Sequence, residues 1–179
     1  MQSRLMSQPL RSSTVLAYWL MPASPAREFF CEVMSRLVAQ HEAPLVAPHL
    51  TLTAGPDDEA QAHRLLAGLD AAPIELRAAE VDYTREFTRT LFLRFVSISP
   101  LEQLRNSLGA EDQQPFDPHL SLLYQKISVE KQAELAASIK IPFRTIRFDA
   151  VQAVRCRVPV ATAADVAAWH VVASVTLAR

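Results

Sequence analysis

The sequence predicts one mixed strand-and-helix unit built from two related lobes that face each other across a cleft. Three observations carry this. A short phrase occurs twice, as Pro48-His49-Leu50-Thr51-Leu52 and as Pro118-His119-Leu120-Ser121-Leu122, seventy positions apart. Each copy sits in the same slot of the order strand, helix, phrase strand, helix, over residues 14–70 and again over 91–139. No stretch rich in Pro, Gly and Ser divides the two runs, so the lobes belong to one folding unit. A motif repeated in equivalent slots is the mark of an internal duplication. A pseudo-two-fold axis then carries His49 and His119 to related positions on either side of the shared cleft.

The 179 residues suit one domain with a substantial core, and half of them are hydrophobic. The net charge of −1 gives no overall positive field for a nucleic-acid backbone. Residues 1–13, with Gln2, Ser3, Ser7 and Gln8 before Ser12 and Ser13, form a flexible leader, and 14–179 form the bilobal domain. Arg4 and Arg11 precede an apolar run, Val15 to Met21, in the manner of a short signal peptide, but Pro22 and Pro25 fit a strand followed by a helix start better. The chain has no apolar stretch of the roughly twenty residues that a membrane span needs. Cys31 and Cys156 form no Cys-x-x-Cys pair, and the expectation is two buried, reduced thiols in a cytoplasmic protein, with a single disulfide as the alternative.

In order, Thr14 to Met21 is a buried strand. Ser24-Pro25 starts a helix in which Phe30, Val33, Met34, Leu37 and Val38 recur at helical spacing, ending at His41. The first phrase strand, 48–54, is broken by Gly55-Pro56, and Asp57 or Asp58 caps a helix bearing Leu65, Leu66 and Leu69. Residues 73–83 are a strand with an irregularity, because apolar parity shifts between Leu76-Ala78 and Val81-Tyr83. After a strand from Leu91 to Ile98, Ser99-Pro100-Leu101-Glu102 reads as a capping box opening a helix to Gly109. A polar loop leads to the second phrase strand, 118–124, and Ser128 caps a helix to about Ile139. Strands over 143–156 and 166–177 close the chain, the last with Trp169, Val171, Ala173, Val175 and Leu177 alternating.

Within a strand, alternation puts His49 and Thr51 on one face and Leu50 and Leu52 on the other, and likewise for His119 and Ser121. With the leucines in the core, each phrase offers an imidazole beside a hydroxyl. Imidazole, with an unperturbed pKa of ~6.5, can accept a proton on one side of a phosphodiester while a second donates one on the other. The hydroxyls of Thr51 and Ser121 can hold the non-bridging oxygens, and no metal or cofactor is required. His41, His63 and His170 have no such context.

The two phrases match the H-x-T and H-x-S signatures of the 2H (two-histidine) phosphoesterase superfamily. Tyr18-Trp19-Leu20-Met21-Pro22, Ala47-Pro48-His49-Leu50-Thr51-Leu52, Pro118-His119-Leu120-Ser121-Leu122-Leu123-Tyr124 and Trp169-His170-Val171-Val172-Ala173 resemble, within it, the cyclic phosphodiesterases of plants and yeast. The resemblance implies a bilobal α+β fold with two duplicated antiparallel sheets around a central cleft and helices outside. It implies metal-independent hydrolysis of a small-molecule cyclic phosphate, either a nucleoside 2′,3′-cyclic phosphate or ADP-ribose 1″,2″-cyclic phosphate, by a monomer. His49 and His119 carry over as the acid/base pair, and Thr51 and Ser121 as phosphate ligands. Tyr124 matches a family tyrosine, although strict parity puts it on the leucine face unless the strand bends. Phe87 is either a ring that stacks on a base or a packed loop phenylalanine. Arg89 and Arg94 either supply positive charge near the phosphate or are ion-paired on a strand face, and Trp19 packs the core.

Two rivals remain: an enzyme of the RNA 2′–5′ ligase type acting on RNA ends, which would benefit from a basic track, and a non-catalytic cyclic-nucleotide binder. A third class, a Ser-His hydrolase with Ser121 as nucleophile, is disfavoured by the absence of a G-x-S-x-G elbow, and the scarcity of glycine, three in all, argues against a P-loop or dinucleotide fold.

Overall fold

In the computed structural model, which describes residues 12–110 and 115–178, the first strand, β1 (Ser13–Pro22), is buried without a break from Leu16 onward. Such a run needs partners on both edges, and β1 has them. It pairs antiparallel with β2 (Leu50–Pro56) on one side and with β6 (Thr145–Val158) on the other. Between β1 and β2 lies α1 (Ala26–His41), which buries Phe30, Val33, Met34 and Leu37 and stops where Glu42 turns left-handed, at φ 51°. The helix α2 (Glu59–Ala67) is capped by Asp58, whose carboxylate accepts from the Gln61 amide at 2.9 Å.

The second half follows the same order. After β3 (Ile74–Asp82) come a single 3-10 turn (Phe87–Arg89), β4 (Leu91–Phe95), α3 (Ser99–Ser107), β5 (His119–Leu123) and α4 (Val129–Ser138), the last capped by Ser128. The expected irregularity in β3 is a register shift against β4 between Ala78 and Val81. The chain closes with β6, α5 (Ala163–Ala167) and β7 (His170–Thr176).

The strands run β1-β2-β5-β4-β3-β6-β7, all pairings antiparallel, with β1 also paired to β6. The expectation of two antiparallel sheets is therefore corrected to a single seven-stranded sheet in which six strands close a cycle. Two junctions explain it. Leu50 of β2 pairs with Leu120 of β5, joining the halves directly. At the other junction β6, 14 residues long, pairs with β3 through Thr145–Phe148 and with β1 through Phe148–Val158. Phe148 is paired on both edges and is fully buried, its ring edge-on to Phe95. The helices pack on the strands, α1 against β1 and β5, α2 against β7, and α4 against β3 and β4.

Local readings differ in four places. Residues 96–98 lie outside β4, and the capping box does not form: Ile98 is the cap, Ser99 lies inside the helix, and Glu102 accepts from Ser97 Oγ at 3.0 Å. The last strand does not begin at 166, because Thr162 and Asp165 form a true capping box that nucleates α5 first. A register shift between β6 and β7 at Ala153/Val154 breaks the alternation, leaving Val171 exposed. Cys156 is buried, whereas Cys31 is exposed on α1; both are free thiols. Most of the leader, residues 1–11, lies outside the described residues. Among the described residues no helix is long and apolar enough to cross a membrane.

Candidate active site

The pairing of Leu50 with Leu120 places the repeat axis between the two phrases. Continuing that antiparallel register sets His49 across from Ser121 and Thr51 across from His119. Leu50, Leu52, Leu120 and Leu122 are buried on the opposite side, as period-two alternation requires. A cleft of about 300 Å³ is lined by His49, Thr51, His119 and Ser121 together with Trp19, Thr88, Arg89, Tyr124, Cys156 and Trp169.

The two imidazoles are held in the same way. His49 Nδ1 donates to the Ala47 carbonyl at 2.7 Å, and His119 Nδ1 donates to the Asp117 carbonyl at 2.8 Å. A carbonyl can only accept, so each Nδ1 carries the hydrogen and each Nε2 is the atom left for chemistry. Their surroundings differ. His49 is buried and stacked on Trp19, ring centroids 3.6 Å apart and 11° from parallel. Burial holds its pKa down to about 4, with the neighbouring His119 adding in the same direction against the Ala47 bond. His119 is less enclosed and meets the edge of Phe92 at 5.3 Å. Burial lowers its pKa too; Arg89 and Arg94 push the same way, while the bond to the Asp117 carbonyl and the Asp117 carboxylate oppose them.

These shifts couple to stability. Folded His49 stays neutral down to about pH 4, whereas in the unfolded chain it protonates near ~6.5. The unfolded state thus binds more protons between those values, and stability falls as pH drops through the window, by up to about 3 kcal/mol from this residue. His119 acts in the same sense. Urea midpoints measured from pH 7 to 4 should fall, and should fall less steeply in His49→Asn, which keeps a donor to Ala47.

The hydroxyls also differ. Thr51 is exposed and its hydroxyl has no hydrogen-bond partner among the described residues. Ser121 is buried, and its hydroxyl donates to the Thr88 carbonyl at 2.7 Å. Burial raises the Tyr124 phenol well above its usual pKa, so it stays protonated. Strict parity would hide Tyr124 among the leucines. The register of β5 against β4 skips between Leu123 and Ser121, leaving Leu122 unpaired, and this irregularity brings Tyr124 to the cleft beside Ser121.

Arg89 lines the cleft, bonded to Asp117 at 2.7 Å and lying 4.5 Å from the Phe92 ring centre. Arg94 does not line it; its guanidinium is ion-paired to Asp117 and Asp82. Phe87 does not line it either, and packs 6.3 Å from Tyr124, tilted at 45°. Trp19, expected only to pack the core, is buried and also forms the floor under His49. Trp169, read as one step of an alternating strand, stands just before β7, edge-on to Trp19 at 5.5 Å and to Tyr124 at 5.9 Å. A signal for Trp19 was present: it pairs with Thr51 across β1 and β2, so an aromatic on the strand next to a His-x-Thr phrase belongs beside the imidazole. His41 ends α1, His63 meets Glu59 on an exposed helix face, and His170 accepts from Arg155. Among the described residues no three His, Cys, Asp or Glu side chains are grouped to hold a metal ion.

This arrangement defines a class, the duplicated folds that set two His-x-hydroxyl phrases on neighbouring strands of one cleft. The family model of the 2′-5′ RNA ligase superfamily matches residues 22–158, and the chain belongs to that superfamily of 2H phosphoesterases. Solved structures share the fold. A crystal structure of a phosphoesterase is 18% identical with a TM-score of 0.57, the match covering 93% of this chain and 100% of that one. LigT of E. coli complexed with 3′-AMP is 18% identical with a TM-score of 0.55, covering 94% of this chain and 100% of LigT. The same protein complexed with ATP is 20% identical with a TM-score of 0.54, covering 93% and 100%. No curated protein matches the chain.

Proposed function

We propose that the chain is a metal-independent cyclic phosphodiesterase that opens a ribose cyclic phosphate to a phosphomonoester. Its substrate would be a nucleoside 2′,3′-cyclic phosphate or ADP-ribose 1″,2″-cyclic phosphate. The observation that carries the reading is the pair of imidazoles, each locked through Nδ1 with Nε2 left for proton transfer, in a cleft that also holds Thr51, Ser121 and Arg89.

In this reading His49, neutral above about pH 4, is the base. Its Nε2 takes a proton from water as the water oxygen bonds to phosphorus. His119 delivers a proton to the ribose oxygen as the P–O bond breaks, so both histidines end in exchanged protonation states and solvent resets them. Thr51, Ser121 and Arg89 stabilise the charge on the non-bridging oxygens. Both imidazoles are held below their usual pKa in the free cleft. A bound phosphate anion favours the charged imidazole, so His119 takes up its proton together with the substrate.

A second reading, action on RNA ends, is favoured by the superfamily's name and by a groove of about 830 Å³ that shares Thr51, Arg89 and His119 with the cleft and continues past Gln61 and Phe116. The test is to incubate the protein, with EDTA present, with 2′,3′-cyclic AMP, ADP-ribose 1″,2″-cyclic phosphate and an oligoribonucleotide ending in a 2′,3′-cyclic phosphate, and to resolve the products. Turnover of either small ester to a single monoester is the expected result. Turnover of the oligonucleotide alone would favour the second reading, and strict dependence on an added divalent metal would overturn the mechanism.

A further inference from the structure

The repeat is symmetric in its histidines and asymmetric in what holds them. The carbonyl that fixes His49 belongs to Ala47, which has no functional side chain, whereas the carbonyl that fixes His119 belongs to Asp117. The same Asp117 extends its carboxylate to two guanidinium groups, Arg89 of the 3-10 turn at 2.7 Å and Arg94 of β4. Arg94 continues to Asp82 of β3 at 2.8 Å, making a chain Asp82–Arg94–Asp117–Arg89 that ends at the cleft. Both guanidinium groups lie against Phe92, at 4.5 and 5.3 Å from its ring centre, and Phe92 meets the His119 ring edge-on. One residue therefore grips the imidazole with its backbone and the nearby cations with its side chain.

We propose that Asp117 is a positioning residue that holds His119 through its carbonyl and, through its carboxylate, keeps Arg89 at the cleft and offsets the charge that Arg89 and Arg94 present to the imidazole. The inference rests on reading His119 as a proton-transfer group. The ionisable groups facing His119 are Arg89 from the turn, Arg94 from β4, Asp117 from the segment leading into β5 and His49 from β2, with Asp82 of β3 acting through Arg94. Two cations and one carboxylate in contact make a balance that shifts in opposite directions when either sign is removed. Without the carboxylate, the cations disfavour protonated His119. Without Arg94, the carboxylate favours it.

The test uses the unliganded full chain. The imidazole Cε1–H signal of His119, assigned by its loss in His119→Asn, is titrated in wild type, Asp117→Asn and Arg94→Gln. The expected midpoint moves down in Asp117→Asn and up in Arg94→Gln, and the alkaline limb of kcat/KM moves in the same two directions. Movement in the same direction in both variants, or in neither, overturns the proposal; a purely structural Asp117 would perturb both alike. Should Asp117→Asn fail to fold, an unmoved or lowered midpoint in Arg94→Gln overturns the proposal by itself. The titration needs no substrate and so separates the two readings: opposed shifts without turnover sustain the balance and overturn the catalytic role, while turnover with an unmoved midpoint overturns the balance alone.

Discussion

On the proposed mechanism, His49→Ala and His119→Ala are each expected to reduce turnover of the cyclic ester by ~10²–10⁴, the contribution of a positioned acid or base. The folded structure should persist in both. His49 contributes one hydrogen bond to Ala47 and a stacked face on Trp19, and His119 one bond to Asp117 and an edge contact with Phe92. Neither supplies a leucine-sized piece of the core. Single-turnover kinetics beside circular dichroism of each variant is the measurement, with His63→Ala as the control, because His63 sits on an exposed helix face. Because the two groups act on one proton transfer sequence, the double variant should lose little more than the worse single one. A variant that binds cyclic nucleotide yet turns over as fast as wild type would remove the histidines from the mechanism.

The largest effect on stability is expected at Phe148. Its side chain is fully buried, and its backbone is where β6 passes from β3 to β1, opposite Ile74 on one edge and Pro22 on the other. Phe148→Ala removes the edge contact with Phe95 and leaves a cavity at the junction that closes the strand cycle. Large-to-small changes of this kind cost about 3–5 kcal/mol. At roughly 2–4 °C per kcal/mol for a chain of this length, calorimetry should show a fall in Tm of about 6–20 °C. A loss below about 1 kcal/mol would mean that the junction collapses onto the gap.

The sequence made the repeat visible because the phrase is local: five residues suffice to carry an imidazole, a hydroxyl and two core leucines. It could not show the hydrogen bonding between strands far apart in the chain, which is why two sheets were expected where β6 and the Leu50–Leu120 pair make one. The two Ser/Thr-x-x-acid phrases teach a similar lesson. Thr162-Ala163-Ala164-Asp165 forms a capping box, while Ser99-Pro100-Leu101-Glu102 does not, since Glu102 is taken by Ser97. The cleft walls were harder to read than the phrases. Tyr124 reaches the cleft through a skipped register that depends on β4, and Trp169 through a helix turn placed ahead of β7. The Arg89–Asp117–Arg94 contacts join a 3-10 turn, a strand and a loop, and only the folded chain brings those charges together.

The junction that creates the site is also slender. Ten residues of β1 are in register with β6, but Leu50 and Leu120 alone define the register of β2 with β5. The imidazoles and hydroxyls thus straddle a seam with little main-chain stitching. An anion held, as proposed, by Thr51 on one strand and Ser121 on the other would act as a cross-brace, adding to the cohesion of the two halves whatever free energy it gains by touching both. On that proposal, cohesion of the seam would rise with occupancy of the cleft, and departure of the product would leave the molecule most free to breathe.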